Sequence, residues 1–223
     1  MEFANARKGI KRIYAAEILS LLELLISFIA GTIQRAGEGG SILDGGTINL
    51  KYDSPVLLGL AVALVVCGFL SFILHLLGIT KAAKDEPKFS SALLWVVLGI
   101  IIGSVKSSLT LNEPLPTILS IADNIAEMLV KFFIIKGVIS VAQQMNRPGL
   151  GMLGGKALTW TVLAYIVSIA LNGAVLWFTM KGDPTGADAL PVEAILLAAA
   201  FILSLIAYVI YLRFLKKATQ SLG

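Results

Sequence analysis

The chain alternates long hydrophobic runs with short breaks that are polar or contain Pro and Gly. A helix needs about 20 mainly apolar residues to cross the roughly 30 Å hydrocarbon core of a bilayer. Six runs reach that length. They predict an all-α integral membrane protein with a single polytopic domain (1–223). The expected fold is a six-transmembrane-helix bundle, and one possible arrangement of its helices is three helix hairpins. The predicted spans are residues 12–33, 55–79, 90–111, 116–142, 157–179 and 192–215.

The fourth run is the least apolar of the six, because four charged residues, Asp123, Glu127, Lys131 and Lys136, lie inside it. Its length and its helical phasing still favour a span over a surface segment. We therefore keep it as a span, which makes the number of spans even and predicts both termini on the same side.

The first run follows several basic residues, as the hydrophobic part of a cleaved signal peptide does. It is longer than the usual about 7–15 residues of such a part, and it carries Glu17 and Glu23. We therefore predict a retained first span. For residues 2–14 two interpretations stay open, a short interfacial helix or a basic flank of the span.

The composition agrees with a membrane protein, since 57% of the residues are hydrophobic and only 14% are charged. A soluble domain has about 25% charged residues, so the surface of a water-soluble protein could not be covered here. The single cysteine, Cys67, excludes an intramolecular disulfide.

The net charge of +4 does not indicate a nucleic-acid partner, because the basic residues follow the expected membrane topology. Twelve of the 18 Lys and Arg residues fall on the side of the chain termini, three on the other side and three within spans. Cytoplasmic loops are enriched in Lys and Arg, so this distribution predicts cytoplasmic termini in a plasma (inner) membrane. The expected partner is the lipid bilayer.

Polar residues recur at helical spacing within each run, so each span has one polar side. Polar side chains that face lipid have no partner, and they should therefore gather where helices meet. The sequence thus predicts a bundle whose interior is more polar than its rim. The main members of these stripes are Glu17, Ser20 and Glu23; Ser71 and His75; Gly99, Gly103 and Lys106; Asp123, Asn124, Glu127 and Lys131; Thr161, Tyr165 and Ser168; and Ser204, Tyr208 and Tyr211.

Seven ionisable residues besides His75 lie at membrane depth, four acids and three bases. Each would cost roughly 2.5–3.5 kcal/mol or more at a lipid-facing midplane position, so they are expected to pair. Their near balance predicts no strongly anionic or cationic substrate. By depth along the helices, the expected pairs are Glu17 with Lys136, Glu23 with Lys131, Lys106 with Asp123, and Glu127 with Lys131 as i,i+4 neighbours.

Several motif-like stretches carry no chemistry in this context. The G-x-G-x-x-G at residues 149–154 joins two hydrophobic runs instead of a strand and a helix, and Gly155-Lys156 lacks the flanking residues of a phosphate-binding loop. One histidine cannot build a His-rich metal site. We therefore predict no enzyme, no catalytic residues, no metal and no cofactor.

Two further features have ordinary structural interpretations. Gly99 and Gly103 form a G-x-x-x-G pattern that allows close helix approach, within the chain or in a dimer. Trp95, Trp160 and Trp177 lie near predicted span ends, where tryptophan anchors helices at the membrane interface.

Two functional hypotheses follow. The first is a small bacterial-type transporter, or the membrane subunit of one, for an ion or small solute. The second is a non-catalytic scaffold that binds another membrane subunit and whose intramembrane ion pairs are structural. The plan resembles small bacterial permeases and membrane subunits of vitamin importers in length and topology only. The candidate substrate- or ion-binding residues are Asp123, Glu127, Lys131, Glu23, Lys106 and Glu17.

Overall fold

Six α-helices in chain order make up the fold. A computed structural model describes residues 3–38, 55–108, 115–181 and 190–222, apart from the side chains at 31–32, 34–38, 107, 172, 175–181 and 190–201. Within those ranges there is no β-strand. The helices are α1 (Ala4–Glu38), α2 (Pro55–Ala82), α3 (Lys88–Ser108), α4 (Leu115–Gln144), α5 (Pro148–Lys181) and α6 (Leu190–Ser221).

Each predicted span overlaps one helix, but α1 and α5 begin eight and nine residues earlier than predicted. The glycine-rich stretch 149–154, predicted to connect two spans, therefore forms the first turns of α5. Residues 109–111 of the third predicted span lie outside the described residues. Four helices are long and apolar enough to cross a membrane, namely α1 over Ala4–Ala30, α2, α3 over Lys88–Lys106 and α5 over Pro148–Leu171. The all-α prediction is confirmed, and these four candidate spans indicate a membrane protein. The helix α4 differs from these four helices in its charged residues Asp123, Glu127, Lys131 and Lys136.

Two predictions about connections have different outcomes. Residues 4–14 are the first turns of α1, so they do not form a separate interfacial helix. Of the stretch between the first two predicted spans, residues 34–38 belong to α1 and the rest lies outside the described residues.

The junction between α4 and α5 shows how local chemistry ends one helix and starts the next. Asn146 has a positive φ of 55°, a left-handed conformation that asparagine tolerates better than most residues. The backbone N–H of Arg147 then donates to the carbonyl of Ala142 at 2.8 Å, which satisfies a carbonyl at the helix end. Pro148 begins α5, where its missing N–H costs nothing.

The helices pack as a ring in chain order. Each contacts its neighbours in sequence, and α6 returns to contact α1. Between described residues the α1–α2 contact is the most extensive, whereas the α2–α3 and α1–α6 contacts are the least extensive of the ring. Since α4 packs about equally on α3 and on α5, the helices do not separate into three independent hairpins.

The tight α1–α2 contact depends on two glycines. A Cβ atom at Gly9 would lie 2.5 Å from the carbonyl oxygen of Gly78, and one at Gly78 would lie 2.8 Å from a side-chain carbon of Ile13. Real Cβ atoms do not approach other atoms this closely, so only glycine allows the two backbones to meet.

One end of the bundle holds the main apolar core. We call it the termini end, because α1, α3 and α5 start there and α2, α4 and α6 finish there. Asp85 of the α2–α3 connection accepts hydrogen bonds from the start of α1, which fixes this arrangement. The fully buried large side chains of this core are Ile10, Ile13, Ile79, Phe89, Ile134, Ile135, Val138, Val141, Tyr211, Leu215 and Leu222.

Large apolar side chains also cover the outside of the bundle. Examples are Phe69 of α2, 63% exposed, and Ile166 of α5, 54% exposed. Such a surface is unusual for a protein in water, and it suits helices surrounded by lipid.

Candidate functional site

A cavity of about 830 Å³ lies between the helices, next to the apolar core of the termini end. All six helices contribute side chains to its wall. Members of all six polar stripes identified in the sequence line it, together with apolar and aromatic groups. The volume is within the range of small-molecule sites, about 300–1,000 Å³.

Five of the six candidate site residues line this cavity, and one does not. Lys106 is exposed, and its ammonium group donates a hydrogen bond to Ser120 Oγ at 2.8 Å, so the expected pair with Asp123 does not form. The five lining residues are Glu17, Glu23, Asp123, Glu127 and Lys131.

Lys131 of α4 is the only lysine or arginine among the described residues that line the cavity. Its Nζ atom donates to Glu127 Oε1 at 2.8 Å and to the hydroxyl of Tyr165 at 2.7 Å. It also lies 5.2 Å and 5.4 Å from the ring centres of Tyr165 and Tyr208, within cation–π range. The expected i,i+4 pair is therefore present, and Lys131 connects α4 to α5 and α6.

Glu17 of α1 is almost fully buried, at 3% exposure. The Tyr208 hydroxyl contacts both its carboxylate, at 2.9 Å, and its backbone carbonyl, at 2.7 Å. The Nδ1 atom of His75 lies 3.9 Å from the same carboxylate. Glu17 is thus held by α2 and α6 and does not pair with Lys136, which lies instead 5.7 Å from the ring centre of Phe132.

Glu23 and Asp123 differ from Glu17 and Glu127 in having no hydrogen bond or ion pair with any residue that the structure describes. Glu23 lies against Gly68 of α2, where a Cβ atom would be 3.0 Å from its Oε1 atom. Asp123 lies near Gly99 of α3, where a Cβ atom would be 4.0 Å from its Oδ1 atom. The expected Glu23–Lys131 pair does not form. Both carboxylates line the cavity.

Two hydroxyl groups in the cavity wall are buried and unpaired. Thr161 is 3% exposed and Tyr211 is 1% exposed, and neither hydroxyl has a hydrogen-bond partner within the described part of the chain. The Nε2 atom of His75 is likewise buried without a hydrogen-bond partner among the described residues. Buried polar groups are nearly always hydrogen-bonded, so unpaired ones in a cavity wall indicate a place for water or a ligand.

The two glycines of the G-x-x-x-G pattern in α3 have different surroundings. A Cβ atom at Gly99 would be 3.8 Å from the Cβ of Ala126 in α4, an ordinary packing contact, whereas one at Gly103 would have no neighbour within 4 Å. Only Gly99 therefore lies at the contact between α3 and α4, and it also lines the cavity.

Sequence reasoning missed Trp95 as a cavity residue. It was interpreted as an interface anchor, yet it lines the cavity. The available signal was its spacing: it lies four residues before Gly99 and therefore on the same side of α3. Trp160 is 39% exposed at the bundle surface, and the side chain of Trp177 lies outside the described residues.

Sequence reasoning also missed a polar cluster in the α2–α3 connection, outside the helices. Asp85 Oδ2 accepts hydrogen bonds from the backbone N–H groups of Asn5 and Ala6, both at 2.8 Å, and Oδ1 accepts one from the Asn5 side chain at 3.0 Å. Desolvation opposes the charge of Asp85, but these hydrogen bonds outweigh it and hold the pKa of its carboxyl group below the usual value. Asp85 therefore caps the first turn of α1.

The neighbouring Glu86 joins α3 to α4. Its side chain is buried, and it accepts hydrogen bonds from the Lys88 backbone N–H at 3.4 Å and from the Gln144 side chain at 3.1 Å. Gln144 also donates to Ser140 at 3.3 Å. This cluster fastens the termini end of the bundle and lies away from the cavity lining.

No protein-family model, curated protein or solved structure matches the chain. Its class therefore follows from its own fold: the described residues form helices without a strand, and four of these helices are long and apolar enough to cross a membrane.

Proposed function

We propose that the protein is a small six-span membrane transporter, or the membrane subunit of one, that binds an ion or small solute in the cavity between its helices. The observation that supports this most directly is that charged residues chosen from the sequence alone, on α1 and α4, line one cavity. Ionisable groups at membrane depth are costly and usually functional. A polar cavity that binds a solute accounts for ionisable groups at this depth.

The arrangement of the ring supports movement as well as binding. The α1–α2 pair is locked together by Gly9 and Gly78, while its contacts with α3 and α6 are less extensive. Such a pair can shift as a unit against the other four helices. In this proposal the packed termini end closes the cavity on one side, and movement of the α1–α2 pair opens the cavity on that side.

The proposal includes the topology, with α4 and α6 as spans and the termini end in the cytoplasm of the plasma (inner) membrane. It can be tested by cysteine labelling in a Cys67→Ser background. Lys84→Cys at the termini end and Lys51→Cys in the opposite connection are matched variants. An impermeant maleimide added to intact cells should label residue 51 and spare residue 84; the reverse pattern would overturn the orientation.

The central experiment is thermal unfolding of the purified protein in detergent across ions, pH values and small metabolites. A ligand that binds only the folded state stabilises it, by about 2.7 kcal/mol at a hundredfold excess over the dissociation constant. We expect a selective upward shift in melting temperature that is lost in Glu127→Gln and Lys131→Met. Flux of the same ligand into proteoliposomes should be lost in parallel.

The alternative remains a scaffold that binds another membrane protein, with Glu127–Lys131 as a structural ion pair. The pair contact of 2.8 Å favours this role as much as a binding role. A scaffold predicts that no ligand changes the melting temperature, that Glu127→Gln only lowers stability, and that crosslinking captures a membrane partner. Unchanged ligand binding and flux in well-folded Glu127→Gln and Lys131→Met would refute the transport site.

A further inference from the structure

The cavity wall has an excess of negative charge. Because Lys106 and Lys136 are not among its lining residues, the described part of the wall has four carboxylates and a single lysine. This differs from the near balance in the sequence, which predicted no strongly charged substrate.

The four carboxylates are not equivalent. Lys131 pairs with Glu127, and Tyr208 holds Glu17 by hydrogen bonding. Glu23 and Asp123 have no such partner within the described residues, and both line the cavity. These two carboxylates are therefore available to a positively charged group in the cavity.

The buried hydroxyls give an independent indication of a ligand. Thr161 and Tyr211 line the same cavity, are at most 3% exposed and lack a hydrogen-bond partner among the described residues. A hydroxyl oxygen can accept a hydrogen bond as a carboxylate does. A hydroxyl group also donates, so the excess of acceptors rests on the four carboxylates, whereas the one lysine among the described lining residues already has two partners. A ligand that supplies N–H donors fits this balance.

The rest of the wall indicates an organic rather than an inorganic cation. The described residues include no group of three or more His, Cys, Asp or Glu placed to hold a metal ion. The cavity is far larger than one ion needs, and Phe72 and Trp95 supply apolar and aromatic surface. Aromatic rings also attract organic cations through cation–π contacts.

We propose that the cavity binds a protonated organic amine, with Glu23 and Asp123 as its counter-charges and Phe72 and Trp95 against its apolar part. This inference rests on the proposed function, because it names the substrate class of the same cavity.

The test uses matched probes that differ only in the charge of one group. 2-Phenylethylamine is a cation at neutral pH, 2-phenylethanol is neutral and phenylacetate is an anion. A second trio, hexylamine, 1-hexanol and hexanoate, replaces the ring by an alkyl chain. Binding of each probe to the full chain in detergent is measured by thermal unfolding and by isothermal titration.

We expect the two amines to raise the melting temperature and the four other probes to have no effect. Glu23→Gln and Asp123→Asn should each weaken amine binding about tenfold or more, because a charge-assisted hydrogen bond is lost in each. Lys106→Gln, a charge change outside the cavity lining, should leave the affinity unchanged. Each variant is first melted without probe, so that a loss of binding is interpreted only for variants that fold.

Two results would overturn the inference. The first is equal binding of the alcohols or the acids, or no binding of either amine. The second is amine binding that is unchanged in both carboxylate variants. If a neutral or anionic ligand from the wider panel then stabilises the protein and loses its effect in Glu127→Gln, the transport proposal stands without the amine. If no ligand of any charge has an effect, both proposals fail.

Discussion

The termini end and the cavity region are built from the same six helices and differ in how their acidic groups are satisfied. At the termini end, Ile134 and Ile135 are fully buried, and the polar groups of Asp85 and Glu86 have partners. In the cavity, Glu23 and Asp123 have no partner among the described residues, and buried hydroxyls are unpaired.

This difference separates the parts of the bundle that specify the fold from the part that is available for binding. Close packing and satisfied polar groups give stability, whereas open space and unpaired polar groups cost it. Substitutions at the termini end should therefore mainly change stability. Substitutions in the cavity should mainly change binding.

The largest effect is expected for Phe89→Ala at the termini end. Phe89 is fully buried with its ring over Gly137, and truncation of a buried aromatic side chain costs about 3–5 kcal/mol. Phe72→Ala is the matched cavity variant; because Phe72 is 43% exposed, it should cost much less. Unfolding in a detergent titration measures both. Similar losses for the two variants would remove the distinction between the regions.

The next largest effect is expected at the α1–α2 contact. Gly9→Ala should lower the free energy of unfolding by about 1–3 kcal/mol, because the added methyl group would meet the backbone of α2 and cannot be accommodated without moving a helix. Gly59→Ala in α2 is the control, since a Cβ atom there has no neighbour within 4 Å. Relief of glycine's backbone entropy should make the control neutral or slightly stabilising.

A moderate effect is expected for Asp85→Asn, which weakens the cap of α1 and should cost about 0.5–2 kcal/mol. The folded-state pKa of Asp85 lies below its usual value, so its carboxylate stabilises the fold above that usual value and loses this effect as pH falls through the folded pKa. Melting temperatures from neutral to acidic pH should therefore show a gap between wild type and variant that narrows in acid. A gap that stays constant or widens in acid would contradict the capping role.

The smallest effect on stability is expected for Glu127→Gln in the cavity. The Glu127 side chain is 55% exposed and that of Lys131 is 13% exposed, and a glutamine keeps an oxygen that can accept from Lys131, so we expect a cost of about 0–1 kcal/mol. The melting temperature without ligand should therefore change little, while the ligand-dependent shift proposed above is lost. A large loss of stability without ligand would instead support the structural, scaffold interpretation of the ion pair.

The sequence predicts the helices and their polar sides well because both are local properties. Runs of apolar residues gave six helices in the right places, and the 3.6-residue period identified side chains that meet in one cavity. The Glu127–Lys131 pair was predictable for the same reason, since both residues are on one helix, one turn apart.

Contacts between helices were predicted less well, because depth along a helix does not fix rotation about its axis. Glu17 was matched by depth with Lys136, but it contacts His75 of α2 and Tyr208 of α6. Lys106 of α3 was matched with Asp123 of α4, but it donates to Ser120, which lies about one turn before Asp123 in α4. The cap by Asp85 was missed because its partners are 79 and 80 residues away in sequence.

That separation has a consequence for the order of events during synthesis. The first turn of α1 leaves the ribosome long before Asp85, so its backbone N–H groups must be solvated by water until α2 has been made and the connection to α3 follows. The Asp85 cap can form only when α1 and α2 lie side by side, with the start of α1 next to the end of α2. Formation of the cap therefore requires that α1 and α2 are correctly paired, and it can occur before the other four helices are available to complete the ring.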